Sequence, residues 1–333
     1  MKQFKISTLF FSVFLLAGFT SCLKSNDDKM GLDISKTGNI IEFANTGDNV
    51  AVAASTYPRF STDLGVVALG DTVFLHVNVS YSGSTDAPED ITVGLAVDTA
   101  ALALFNRQNG SDYVAPPADL FKFSPSVVIK KGTRKTQVEV AIINNGNFDF
   151  NVNYALPLQI SSASKGVVSG NFGKAMYSFS ARNNYDGAYT MAATAPMVDV
   201  VNAGLTGFYP LKMHLITFTG NSVALYDIDG NAAKTYGHPI KNGTSASYYG
   251  SFSPVFFFDS NGKITSVTNY YGQESGGNKR SAVLDPTGVN KITFKEDGKV
   301  DYFEVSYIMT QSISSPFLPR TYFHEKFTYL GGR

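Results

Sequence analysis

The stretch DTVFLHVNVSY, Asp71 to Tyr81, decides the fold. Val73, Leu75, Val77, Val79 and Tyr81 fall on one side of an extended chain, with Thr72, His76, Asn78 and Ser80 on the other. Successive side chains of a strand point to opposite faces, so this alternation describes a strand with one dry and one wet face. The same period recurs on either side of it. Ile91, Val93, Leu95 and Val97 share a face in DITVGLAV, Val138, Val140 and Ile142 in QVEVAI, and Tyr154, Leu156, Leu158 and Ile160 in YALPLQI. Half-buried strands of this kind pack as antiparallel sheets in a sandwich. Pro157 in the last run predicts an edge strand or a bulge, since proline has no N–H to give a ladder. One segment breaks the pattern: DTAALALFNRQNG, with Asp98 as N-cap and Leu102 and Phe105 three apart, predicts a short helix crossing one end of the sandwich.

The punctuation changes after YSFSARNN, which places a boundary between residues 182 and 183. Beyond it, Asp229-Gly230, Asn261-Gly262 and Asp297-Gly298 separate apolar runs such as PLKMHLITFT, SVALYDI, SPVFFFD and KVDYFEVSYIM. Asp-Gly and Asn-Gly tolerate positive φ and favour tight hairpins. About eight strands result, the number of a small antiparallel barrel. The expected fold is all-β: an immunoglobulin-like sandwich over 38–182, then an antiparallel β-barrel (lipocalin-like) or second sandwich over 183–333.

The chain has 333 residues and a formal net charge of zero, with no basic cluster, which argues against nucleic acid as a partner. Lys2 and Lys5 precede an apolar run from Ile6 to Phe19, the form of an export signal over 1–21. That run is too short to span a bilayer. Thr20 and Ser21 then lead into Cys22, the single cysteine. With no second cysteine it cannot form an internal disulfide. Its setting resembles the bacterial lipobox, with Phe19 where leucine is preferred, and implies a lipidated Cys22. Residues 22–37 read as a polar tether. Asp27 and Asp28 resemble the acidic surface-export signal of Bacteroidetes lipoproteins, which implies lipid anchoring to the outer membrane with the fold exposed at the cell surface.

The run from EDITVGLAV through the helix ending near Asn106, the loop with Tyr113 and Pro116, Lys131-Gly132 and the YALPLQI strand resembles a family. It is the immunoglobulin-like N-terminal domain of unknown function of Bacteroidetes surface lipoproteins. The remainder, from YDGAYT onward, resembles the β domain that often follows it. The resemblance implies a non-catalytic, glycan-binding accessory of an outer-membrane polysaccharide-uptake system, with transporter components as partners. It transfers no catalytic and no ligand residue.

The residues themselves offer little catalytic chemistry. No paired-carboxylate motif of a glycosidase occurs. His76, His214, His238 and His324 lack zinc spacing, and neither an EF-hand, a Walker loop nor a G-x-S-x-G elbow is present. No metal and no cofactor is therefore expected. Aromatic chemistry remains, because a tyrosine combines an apolar ring face with a hydrogen-bonding hydroxyl, which suits the flat face and polar rim of a sugar. TSASYYGSFS and TNYYGQESGGNKR put Tyr248, Tyr249, Tyr270 and Tyr271 beside Asn269, Gln273 and Arg280, and these seven are the candidate ligand residues. Two other readings stay open: an adhesin-type protein that packs against protein partners, and a glycoside hydrolase without a familiar motif. The anchor has a direct check. Cys22→Ala is expected to move the protein from the membrane to the soluble fraction and to abolish metabolic labelling with a fatty acid.

Overall fold

The computed structural model describes residues 39–44, 55–229, 234–312 and 318–333. Cys22, the signal and the tether lie outside the described residues.

The first half comprises β1 (Ile40–Phe43), β2 (Arg59–Val66), β3 (Thr72–Ser82), β4 (Ile91–Val97), helix α1 (Thr99–Asn109), β5 (Phe121–Lys122), β6 (Ser126–Ile129), β7 (Lys135–Ile143), β8 (Tyr154–Ala163), β9 (Val167–Val168) and β10 (Lys174–Arg182). They form two five-stranded sheets, in the orders β5-β7-β3-β1-β9 and β2-β10-β8-β4-β6. The alternating residues of β3, β4, β7 and β8 meet between the sheets, with Leu75, Val77, Val93, Val140, Leu156 and Leu158 all buried. This is the sandwich expected from the period-2 pattern.

Two local expectations change. Asp98 does cap the helix, accepting from the Ala101 N–H at 3.0 Å. However, α1 does not cross an end of the sandwich. Ala101, Leu102 and Phe105 pack on Ala155 and Met176, on the outer side of the β8–β10 pair. Nor is Pro157 at an edge, since β8 lies between β10 and β4. The β4 ladder ends at Val97 opposite Leu158, and the Pro157 carbonyl accepts from the Asp98 N–H just beyond it. The missing proline N–H therefore faces the point where the chain turns into the helix, and no ladder bond is lost.

The second half comprises β11 (Gly187–Ala193), β12 (Val198–Asp199), β13 (Leu205–Gly207), β14 (Leu211–Thr219), β15 (Ser222–Tyr226), β16 (His238–Asn242), β17 (Ser245–Tyr249), β18 (Pro254–Phe258), β19 (Ile264–Asn269), β20 (Arg280–Leu284), β21 (Lys291–Phe294), β22 (Val300–Gln311) and β23 (Pro319–Gly331). The main sheet runs β19-β18-β15-β14-β11-β23-β22-β20, and β13, β16 and β17 form a small separate sheet. The two ends of the main sheet curl round to meet. At one end of the seam β21 pairs with β22 and also bonds the turn before β19, through Ile292 N to Gly262 O at 2.9 Å. At the other end side chains do the joining. Asn269 Nδ2 donates to the carbonyls of Arg280 (3.0 Å), Ser251 (3.0 Å) and Gly272 (3.2 Å). Gln273 Oε1 accepts from both Asn269 N and Ala282 N, while its Nε2 donates to Ala282 O. The interior is filled by rings, among them Phe252, Phe256, Phe303, Phe323 and Phe327.

The two halves meet end to end. Arg182 bonds Asp63 and the Arg333 carbonyl, and the Arg333 guanidinium holds buried Asp186 through Nε at 2.6 Å. Asn183, also buried, donates to the carbonyls of Thr219 and Ser222. This joint lies at the Thr72 end of β3, where Val67 N bonds Arg182 O, whereas Ile40 pairs with Ser82 at the opposite end.

Asn269→Ala would strip three carbonyls of their donor at the seam. At about 1 kcal/mol for each net hydrogen bond, a loss of roughly 2–3 kcal/mol is expected, read as a lower urea midpoint with unchanged far-ultraviolet circular dichroism.

Candidate ligand-binding site

Register sorts the barrel residues into two faces. Leu215 opposite Leu225, and Val223 opposite Phe256 opposite Val267, point into the core. Their neighbours must point outward: His214 with Tyr226, Ile216 with Ala224, Val255 with Thr268, and Phe257 with Ser266. Ala224 and Val255 are buried although they face away from the core, which puts an apolar layer beneath this outer face.

A chain of rings lies over that layer. Phe257 meets Phe218 edge-on at 6.5 Å, and Phe218 meets Tyr270 at 6.0 Å. Tyr270 stacks on Tyr236 at 3.8 Å and 8°, and Tyr226 stands against Tyr236 at 5.0 Å. Tyr271 adds an edge contact to Tyr270 at 5.3 Å. Most of these rings are half-buried, and Tyr271 is 39% exposed. Tyr236 reaches the face from the loop ahead of β16, which is pinned by hydrogen bonds from Tyr271 to the Tyr236 carbonyl and from Tyr226 to the Lys234 carbonyl. Tyr248, 42% exposed, stands beside the same loop, where a Cβ on Gly237 would come within 3.1 Å of its ring. Polar groups border the rings: Ser266 and Thr268 on β19, and His214 opposite Tyr226. Burial first, and the Arg333 charge next, hold His214 below the usual imidazole range, so it presents a neutral ring. Tyr236 and Tyr270 spend one face on each other, and the remaining aromatic surface, bordered by hydroxyls and imidazole, is of the chemical kind that suits a sugar ring.

The seven sequence candidates separate accordingly. Tyr248, Tyr270 and Tyr271 belong to this outer face. Tyr249 does not: it turns into the barrel, where its hydroxyl donates to Asp199 Oδ2 at 2.5 Å and its ring lies between Arg280 and Arg320. Burial, then the Asp199 carboxylate, pushes its phenol up. Asn269 and Gln273 are engaged at the seam, and Arg280 donates to the Gly250 carbonyl. These four are structural parts of the barrel. Tyr226, Tyr236, Phe218 and Phe257 were missed. Tyr226 was readable from alternation, because Leu225 before it is inward; Tyr236 was not, because a loop delivers it.

Two carboxylates lie inside the barrel, where a hydrolase would need an opening. Glu325 accepts from Tyr209 and Tyr307 and contacts His238 Nε2 at 2.7 Å. Asp199 accepts from Tyr249, Thr321 and Arg320. Both are engaged by protein side chains. Among the described residues no group of three His, Cys, Asp or Glu is placed to hold a metal ion.

A family model described as a "-like, N-terminal domain" matches residues 43–167, within the sandwich. No curated protein matches the chain. Among solved structures, a Bacteroides ovatus protein of unknown function is similar at 14% identity, with 88% of this chain and 95% of that chain covered and a TM-score of 0.53. A multidomain Bacteroides ovatus protein that includes a domain of unknown function matches at 15% identity, over 86% of this chain and 93% of that chain, with a TM-score of 0.43. An auxiliary nutrient binding protein from Bacteroides thetaiotaomicron matches at 13% identity, over 86% and 94%, with a TM-score of 0.42. The first of these shows a shared fold over nearly the whole of both chains. That protein, like those the sequence resembles, comes from a Bacteroidetes organism.

Tyrosine titration tests the ring packing. Burial, with Tyr270 next, pushes the Tyr236 phenol up to about 12. A group whose folded pKa exceeds its unfolded value stabilises fully below the unfolded pKa, and that contribution fades as pH rises through the folded one. Stability is therefore expected to fall between pH 10 and 12, with late phenolate absorbance that is reduced in Tyr236→Phe.

Proposed function

We propose that this chain is a non-catalytic, nutrient-binding accessory that holds glycan on the outer face of its barrel. The observation that carries the reading is the continuous row Phe257, Phe218, Tyr270, Tyr236 and Tyr226, bordered by Tyr271 and Tyr248. Its rings already pack on one another, so little side-chain freedom remains to be lost on binding. Lipidation at Cys22 would tie the chain to the outer membrane at the cell surface. The topology suits that role: Ile40 pairs with Ser82 at the end of β3 remote from the joint that carries the barrel. Outer-membrane transporter components would then receive the captured polymer.

A second reading, attachment to a protein partner, draws on Val198, Val200, Val201 and Leu318, which are 51–71% exposed. They gather where β12 pairs with the start of β23, at the barrel end far from the joint.

Affinity electrophoresis against plant, fungal and host polysaccharides tests the first reading. Retardation by one polymer class is expected, with at least a tenfold loss of affinity in Tyr236→Ala and Tyr270→Ala. No retardation across the panel, with a pull-down of one outer-membrane protein that Val200→Asp abolishes, would replace it with the second.

A further inference from the structure

The joint between the halves leaves a cleft of about 660 Å³, lined by both. Ligand sites favour domain interfaces, and this volume falls within the roughly 300–1,000 Å³ usual for them. Its floor is the buried pair Tyr185 and Phe258, stacked at 4.2 Å. Two apolar side chains stand exposed in its walls, Leu69 from the sandwich at 74% and Phe294 from the barrel at 39%. Large apolar groups left this open within a concave site mark a surface meant to be covered.

Polar groups converge on the same space from the barrel side and the linker: Asn184, Asn221, Asp259 and Ser260. Asp259 spends Oδ1 on its own turn, accepting from Asn261 N and Lys263 N at 2.9 Å each. Its Oδ2 has no hydrogen-bond partner among the described residues. Asp259 is also the single charged residue in the lining. An acidic sugar would meet a carboxylate, whereas neutral hydroxyls can donate to it.

The cleft is also held in shape. Arg182 ties Asp63 on the sandwich to the Arg333 carbonyl, Arg333 is fixed by Asp186, and Gly220 packs so close to Phe150 of the sandwich that a Cβ would touch that ring at 3.4 Å. A site preformed in this way loses little to ordering when it fills.

We infer that the cleft is a second binding site, for a short neutral oligosaccharide, with one sugar face against Phe294 and Leu69 and its hydroxyls on Asp259, Asn184 and Ser260. The inference rests on the glycan-binding reading and places a separate site about the joint, distinct from the ring row.

Calorimetry on the purified protein tests it with maltotriose, cellotriose, mannotriose and xylotriose, and with trigalacturonic acid as the acidic contrast. One neutral trisaccharide is expected to bind and the acidic one not. The double variant Leu69→Ala/Phe294→Ala is expected to weaken that binding at least tenfold while far-ultraviolet circular dichroism stays unchanged. Tyr236→Ala/Tyr270→Ala is expected to leave it unaltered. Binding that survives the cleft variant but is lost in the ring variant would overturn the cleft and keep the ring row. Absence of binding by every trisaccharide would also overturn it, and retardation by polysaccharide would then show that the wider reading stands alone.

Discussion

Between β19 and β20 the barrel sheet has no backbone ladder, and the side-chain amides of Asn269 and Gln273 take its place. An open sheet edge would expose unpaired N–H and C=O groups, a template for aggregation. A primary amide carries both a donor and an acceptor, so it can imitate the peptide group it replaces. Asn269 reaches three carbonyls and Gln273 bonds both the N–H and the C=O of Ala282. Closure at this point joins the sheet around its ring-filled interior and leaves the tyrosines on the outer face.

Side-chain hydrogen bonds also accommodate the acidic groups buried in the barrel. Glu325 and Asp199 sit within the barrel near the small β13–β16–β17 sheet. Removing a carboxylate from water is expensive unless hydrogen bonds replace hydration. Each has at least three protein partners, supplied by tyrosine, threonine, arginine or histidine side chains. The tyrosines thus have two uses in one domain: Tyr209, Tyr249 and Tyr307 satisfy carboxylates, and the outward ones form a surface.

The sandwich could be read from alternation because one face of each strand is buried and the other wet. Helix α1 could be read as a helix, yet its seat on Ala155 and Met176 could not, since β8 is buried on both sides and its outward residues look like further core. At the candidate site, Tyr248 and Tyr249 are neighbours on one strand and so face opposite ways, but nothing in the sequence says which is outward. Asn269, Gln273 and Arg280 have the composition of a sugar site, and only the location of the strand across the seam reveals that the two amides are already engaged there, while Arg280 spends a terminal nitrogen on the Gly250 carbonyl. Tyr236 was hidden for the opposite reason: a loop carries it to Tyr270, thirty-four positions away, and no periodicity encodes that meeting.

The placement of β1 has a mechanical consequence. The chain enters at Ile40 opposite Ser82 and leaves at Arg182 near the other end of β3, about 30 Å away at roughly 3.4 Å per residue. Tension applied between these points pulls β1 along its own axis. Its bonds to β3 and to β9 on its other edge would be loaded together, in shear, rather than unzipped one after another. A strand of four residues can thus resist a pull on the barrel, because its hydrogen bonds and the seats of Ile41 and Phe43 in the core would have to yield at once.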